Sequence, residues 1–310
     1  MPPTPLTTDA TSPGSLITQD GQIQWGDILL GPGTDYEIAD SGPTGWADLP
    51  VLDSGDVLRP DQHGAWPGAM WAQARTVTAP VWLLPRRPEQ AAAVAREFRA
   101  ATAVHSGEQW LAVRLHGETL ACRARVNQRV IPHDRMFVTR GIAKATVQWI
   151  CADPRRLSVG PPHSQSTGLP VVADGGLVWP AGLNWPLDWG KSGGSTGQLT
   201  VHNAGDAPTS PVIEFQGPVD RPTLTRRSDD LRLEYGIRLT ESERLTIDVN
   251  AGTVVSNGTQ SRVNTATAGS APEQLFQLEP GETQLRFSCA PGAPVDPRAA
   301  VTVTWRDAHW

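Results

Sequence analysis

Apolar and polar residues alternate with a period of two along most of the chain. Leu111, Val113 and Leu115 alternate with Ala112, Arg114 and His116. Leu120, Cys122, Ala124 and Val126 follow, then Ala143, Ala145, Val147, Trp149 and Cys151. Later come Leu231, Leu233, Tyr235, Ile237 and Leu239, then Leu245-Ile247-Val249, Leu285-Phe287-Cys289 and Val301-Val303-Trp305. This period predicts strands with one face in a core and one in water, as in antiparallel sheets packed on one side. Turn residues fall between these runs. Asn257-Gly258 suits a type I′ hairpin, because both positions tolerate positive φ. Pro280-Gly281 predicts a turn before Leu285, and Asp53-Ser54-Gly55 predicts a loop. One segment, Pro88 to Thr102, reads as a helix. Pro88 suits a first helical position, Glu89 the positive end of the dipole, and Ala91, Val94, Ala95, Phe98 and Ala101 follow the 3.6 period.

The periodicity fails between Val159 and Ser166, where Gly160-Pro161-Pro162 stands, and 310 residues suit two domains. The expected division is 1–159 and 160–310. The fold class is mainly β: an N-terminal β-barrel or sandwich-like domain with one short helix, then an antiparallel β-sandwich. The 30 Gly and 28 Pro fit many short strands joined by tight turns. The 12 Trp are many for this length, and Trp supplies large burial and is enriched at protein interfaces. Three of them, Trp179, Trp185 and Trp189, sit among prolines in an aperiodic segment. Exposed, they would stack on sugar rings. Packed, they would staple extended chain onto a sheet or a neighbouring subunit, and the regular Pro spacing favours packing.

Charge and reactive residues point away from catalysis. The net charge of −6 has both signs interspersed, unlike the clustered Lys and Arg of a nucleic-acid face. The strand carrying Arg123, Arg125 and Arg129 is the most basic in the chain. Its outward face needs an acidic partner, expected on an adjacent strand or a neighbouring subunit. Cys122, Cys151 and Cys289 lack metal-ligand spacing and imply no disulfide framework. Each lies on the apolar side of its segment and reads as a buried thiol of a chain folded in reducing cytosol. Gly190-Lys191-Ser192 lacks the Gly five residues earlier that a phosphate loop requires, since Trp185 stands there. The carboxylates Asp229, Asp230, Glu234, Glu241, Glu243 and Asp248 fall on solvent sides of strands or in turns, which reads as solvated charge rather than a glycosidase pair. The seven His show no paired-ligand spacing. Neither catalytic residue, metal nor cofactor is expected. Residues 1–14 lack the basic-then-apolar pattern of a signal peptide, and no apolar run reaches membrane-spanning length, so no membrane insertion is expected.

In order along the chain, several passages resemble the siphophage distal tail protein (Dit-like) family. Gly31 to Ile38 resembles its opening strand. Asp56 to Leu84 resembles its pattern of a charged residue, a Gly-rich turn (Gly64, Gly68), a strand bearing Arg75 and an apolar strand end. The helix from Pro88 follows in the family's order. Trp149-Ile150-Cys151-Ala152-Asp153-Pro154-Arg155 with Ser158 resembles the passage ending its first domain. In the second half, Asn203 to Gly205, Pro211 to Gly217, Leu245 to Asp248, Leu278 to Phe287 and Val303 to Ala308 resemble its galectin-like sandwich. The resemblance implies a structural protein of the virion, not an enzyme. It implies a ring of six subunits, assembled in the host cytoplasm, at the distal end of a long non-contractile tail. The first domains would close the ring around a channel through which DNA only passes, and the galectin-like domains would project outward. The implied partners are the tail tube protein, the tail-tip hub and receptor-binding components. Arg75, Arg123, Arg125, Arg129, Trp179, Trp185 and Trp189 are the candidate interface side chains. The competing reading is a carbohydrate-binding module of a tail-tip or cell-wall-adhesion protein, resting on the Trp cluster.

Overall fold

The computed structural model describes residues 12–171 and 195–310. Trp179, Trp185, Trp189 and the Gly190-Lys191-Ser192 passage lie outside the described residues. The chain divides into two compact units, residues 1–161 with His309–Trp310, and residues 162–308. It is mainly β, with antiparallel pairing throughout the described ladders.

The first unit contains β1 (Ile23–Trp25), β2 (Ile28–Leu30), β3 (Tyr36–Ile38), β4 (Leu52–Ser54), β5 (Val57–Leu58), β6 (Ala65–Trp66), β7 (Met70–Ala72) and β8 (Arg75–Leu83). After the helix come β9 (Gln109–Leu115), β10 (Glu118–Val130), β11 (Ala143–Cys151) and β12 (Arg156–Ser158). The main sheet runs β2-β1-β9-β10-β11-β8-β3. Its two end strands are consecutive in the chain, and the Gly31 N–H donates to the Tyr36 carbonyl at 2.7 Å. The sheet therefore curls back on itself, as a barrel does. In β11 the predicted alternation is seen residue by residue, with Ala145, Val147 and Trp149 fully buried, and β8 buries Val77, Ala79 and Val81 in the same way.

The helix forms in two pieces, a 3-10 turn Pro88–Gln90 and α1 (Ala91–Ala101). Val94, Ala95 and Phe98 face the core. Phe98 stacks on Tyr36 at 5.8 Å, and the Trp25 indole donates to the Ala101 carbonyl at 2.9 Å. The sequence led us to expect one helix, but there is a second, α2 (Arg135–Arg140). Six residues are too few to show a 3.6 period. Its caps were legible: the Asp134 side chain accepts from the Phe137 N–H at 2.9 Å, and Gly141 closes it with φ 72°.

The second unit is built on two sheets. One pairs His163–Gly168, Ala300–Trp305, Val212–Gln216, Arg244–Asp248, Thr253–Ser256 and Gln260–Ser261 in that order. The other pairs Gln198–Asn203, Gly281–Ser288, Thr223–Arg226 and Arg232–Glu234. Inward residues of both sheets, among them Ile213, Phe215, Ile247, Val303, Leu199, Leu224, Leu285 and Phe287, form one buried cluster. The aperiodic stretch at 159–166 contains a strand that sequence reading missed, His163–Gly168. It is an edge strand of exposed polar residues, so no apolar alternation marks it. The expected strand through Leu231–Leu239 is broken at Gly236, although Leu233, Tyr235 and Leu239 are buried as predicted. At the hairpin after Ser256, Asn257 and Gly258 both have positive φ, 50° and 75°, as a type I′ turn requires.

Candidate assembly interface

From Leu52 to Ala72 the first unit extends a two-stranded arm. Strand β4 pairs with β7, and β5 with β6. Between them the Gly55 N–H donates to the Ala69 carbonyl at 3.0 Å, and the Gly68 N–H donates to Asp56 Oδ1 at 2.8 Å. The backbones at this joint touch: a Cβ on Gly68 would lie 2.2 Å from the Gly55 carbonyl oxygen, so Gly is required there. The Asp53-Ser54-Gly55 passage is thus not the loop its composition suggested but the strand and joint of this arm. No residue from Val51 to Ala74 is buried. Yet Val51, Val57, Leu58, Trp66, Met70 and Trp71 are all more than half exposed. A two-stranded ribbon without a packed face is marginal in water, and an apolar patch of this kind marks a protein-binding surface. A second exposed apolar group lies on and near α2, where Val130, Met136 and Val138 face solvent.

The arginines that sequence reading put forward behave differently from one another. Arg75 is 2% exposed, so it presents nothing to a partner. Its Nε donates to the Pro154 carbonyl at 2.8 Å, and its Nη1 to the carbonyls of Gly45, Trp46 and Asp48 at 2.8, 2.9 and 2.6 Å. It is an internal strut that holds three segments of the first unit together. Burial lowers its pKa from the ordinary arginine value, and the nearby Arg156 charge lowers it further. Arg123 lies over the Trp110 ring at 4.2 Å. Arg129 donates to the carbonyls of Arg99 and Thr102 at 2.8 and 3.1 Å, capping the negative end of α1. An aromatic face and a helix terminus are thus contacts of these two side chains. A bulge between Val126 and Gln128 puts the residues of β10 out of simple alternation, and Arg125 is exposed.

In the second unit the carboxylates find local partners. Asp229 receives Arg226 Nη2 at 2.5 Å, which holds its pKa down at about 2. Thr240 donates its N–H and hydroxyl to Glu243, and the Ala251 N–H donates to Asp248. A cavity of about 270 Å³ is lined by His163, His202, Trp305 and Asp307. Trp305 is 6% exposed, its indole N–H donates to the His202 carbonyl at 2.9 Å, and His163 lies over its ring at 5.6 Å. It has no free face on which a sugar ring would stack. Among the described residues no group of three or more His, Cys, Asp or Glu is placed to hold a metal ion, and no helix is long and apolar enough to cross a membrane.

Comparison with known proteins adds identity to this geometry. No curated protein matches the chain by sequence. Residues 204–309 match the family model of the siphovirus-type tail component, C-terminal domain. Among solved structures, the Dit protein of phage SPP1, described as a paradigm of the hub adsorption apparatus in phages infecting Gram-positive hosts, is similar over 93% of this chain and 98% of its own, with a TM-score of 0.62 at 12% identity. A chain of the phage P2 baseplate in its activated conformation with Ca is similar over 92% and 98%, with a TM-score of 0.50 at 9% identity. Residues 204–309 are thus similar to the C-terminal domain of the siphovirus-type tail component family, and over most of its length the chain has the fold of the SPP1 Dit protein.

Proposed function

We infer that this chain is a structural distal tail protein of a long-tailed siphophage, a building part of the tail tip rather than an enzyme. The observation that carries the reading is the Dit fold over 93% of the chain, coincident with a tail-component family match in its second half. The finer assignment follows the same logic. Residues 1–159 form the ring-closing domain and residues 160–310 a galectin-like β-sandwich that projects from it. The arm at 52–72 supplies the anchor for a neighbouring copy: a head-to-tail contact repeated around an axis closes a ring. Six copies make that ring. Its neighbours are the tail tube protein on one side and the tail-tip hub with receptor-binding components on the other. Its place is the distal end of the virion tail, after assembly in the host cytoplasm. DNA only passes through the channel. With a net charge of −6 per chain, the ring repels phosphate rather than holding it.

The experiment is light scattering and negative-stain microscopy of the purified chain, with antibody labelling of virions. Six copies of 33.3 kDa give a particle of about 200 kDa with a central hole, and label at one end of the tail. A monomer at all concentrations, or label along the tube or on the head, overturns the reading. The alternative, a carbohydrate-binding module, draws no support from the cavity at Trp305, whose ring is already covered.

A further inference from the structure

The core of the first unit contains two thiols that no part of the proposed function uses. Cys122 lies on β10 within the stretch paired to β9, and Cys151 ends β11. They are 1% and 0% exposed, and their sulfur atoms stand 2.9 Å apart. Carbon atoms already rest about 3.5–4.0 Å apart when not bonded, and sulfur is larger, so this pair is held closer than a non-bonded contact prefers. A disulfide bond is about 2.05 Å, a closure of under 1 Å from here. A guanidinium stands beside them. Arg75 is the register partner of Cys151, its charge is felt by both thiols, and its Nη2 is buried with no hydrogen-bond partner.

We propose that Cys122 and Cys151 are a latent disulfide, formed when the assembled protein leaves the reducing cytosol and meets a small-molecule disulfide. This reverses the sequence-based expectation of three independent thiols. The spacing of 29 residues carries no motif, and only the fold brings the two together. The chemistry is two exchanges. One cysteine thiolate attacks a sulfur of oxidised glutathione, forms a mixed disulfide and releases one glutathione. The other cysteine thiolate then attacks the protein sulfur of that mixed disulfide and releases the second. Two protein thiols and one glutathione disulfide become one protein disulfide and two glutathione thiols, which carry away the two protons. Hydrogen bonding between the two sulfurs and burial raise the Cys122 pKa, while the Arg75 charge opposes this rise. Cys122 thus stays protonated at rest. Arg75, with an N–H to spare, stabilises the thiolate when exchange occurs. The bond would close the base of the β10–β11 hairpin that carries α2.

The test uses the full chain with oxidised glutathione as the probe, applied to folded protein and during refolding. Thiols are then counted under denaturing conditions and the intact mass is read. The proposal expects two of the three thiols to disappear, with a mass lower by about 2 Da and a peptide joining the segments around residues 122 and 151. A Cys289→Ser variant should lose both of its remaining thiols. The oxidised chain should melt roughly 5–10 °C above the reduced one, as cross-linking a loop of this length predicts. Three thiols surviving in the folded protein exposed to the oxidant overturn the proposal, as does a bond that forms only on refolding. So does a bond that recruits Cys289, or glutathione left attached to Cys122 or Cys151.

Discussion

Among the described residues the second unit leaves five large apolar side chains exposed, Val171, Val212, Val263, Leu275 and Val295, on separate strands, 3-10 turns and loops. The first unit leaves twelve, and eight of them, including Trp66, Met70 and Trp71, fall between Leu49 and Trp71. Both units have a full core of their own. The difference is therefore not one of folding but of completion. Among the described residues, the second unit keeps most of its large apolar side chains inside itself, whereas the first also sets a group of them, exposed, on a ribbon. Scattered exposed Val and Leu are ordinary on any surface; a run of exposed apolar residues that includes Trp and Met has the composition that interfaces use. Among the described residues, the surface with the composition of a docking site is on the first unit.

The largest effect that tests this contrast comes from the arm. Replacing residues 52–72 by a short Gly-Ser turn should abolish higher-order particles while moving the melting temperature of the chain by no more than a few degrees, because no residue from Val51 to Ala74 is buried. Light scattering and calorimetry on the same sample separate the two. Trp71→Asp should act in the same direction, since a charge on a desolvated anchor costs most at the centre of an interface. Val212→Asp in the second unit is the matched control and should leave assembly unchanged. Assembly that survives loss of the arm would place the contact elsewhere, with the exposed face of α2 the next candidate.

Two internal substitutions come next, one in each unit. Arg75→Met removes the donors that hold the carbonyls of Gly45, Trp46, Asp48 and Pro154. Orphaned buried acceptors cost about 1–3 kcal/mol each, part of it offset because a buried charge is removed, so the first unit should lose roughly 3–5 kcal/mol. In the second unit, Asn203 is 1% exposed and donates to the carbonyls of Ala207 and Leu278 at 2.8 and 3.3 Å. Its Oδ1 accepts from the N–H groups of Gly205 and Ala308. Asn203→Ala should cost about 2 kcal/mol, read from denaturant unfolding. If the units unfold separately, each substitution lowers one transition and spares the other.

How far these features were legible depended on length and on polarity. Long half-buried strands declared themselves: β11 and the Gly281–Ser288 strand lie where the alternation of Ala143 to Cys151 and of Leu285 to Cys289 put them. Helix α1 showed its period over three turns. The misses share a cause. The arm strands, the edge strand His163–Gly168 and α2 contain no fully buried residue among those described, and α2 packs only Phe137 against the core, so none of them carries a periodic apolar face. The arm does carry apolar residues, but not in strand alternation. Arg75 misled for the opposite reason. An arginine in a strand reads as surface, and nothing local says that four carbonyls from distant segments will converge on it. The proximity of Cys122 and Cys151 is likewise a product of tertiary folding. Isolated interface residues are thus the least legible part of such a chain, and core faces the most.

The smallest expected effect sits in the second unit and tests whether that unit's surface charges matter to its stability. Asp229 is held at about 2, mainly by its hydrogen bond to Arg226, whose own side chain is only 10% exposed. Its ordinary value in an unfolded chain is about 3.9. A carboxyl whose folded pKa is depressed contributes stability that is complete above the unfolded value and is lost as pH falls through the folded one. The window is therefore from about pH 4 down to about pH 2, and the wild-type chain should lose this contribution progressively across it. Asp229 is 45% exposed, so solvent screening keeps the contribution below about 1 kcal/mol. Asp229→Asn removes the titration: its stability should fall below wild type above pH 4 and the two should converge near pH 2. Asp296, also held at about 2 by Arg298, pairs with an arginine that is 56% exposed. Asp296→Asn should therefore show a smaller difference at neutral pH. The two aspartates have the same depressed pKa and differ in how enclosed their arginines are. If the two variants lose equal stability, enclosure of the arginine is not what gives the Asp229 pair its strength.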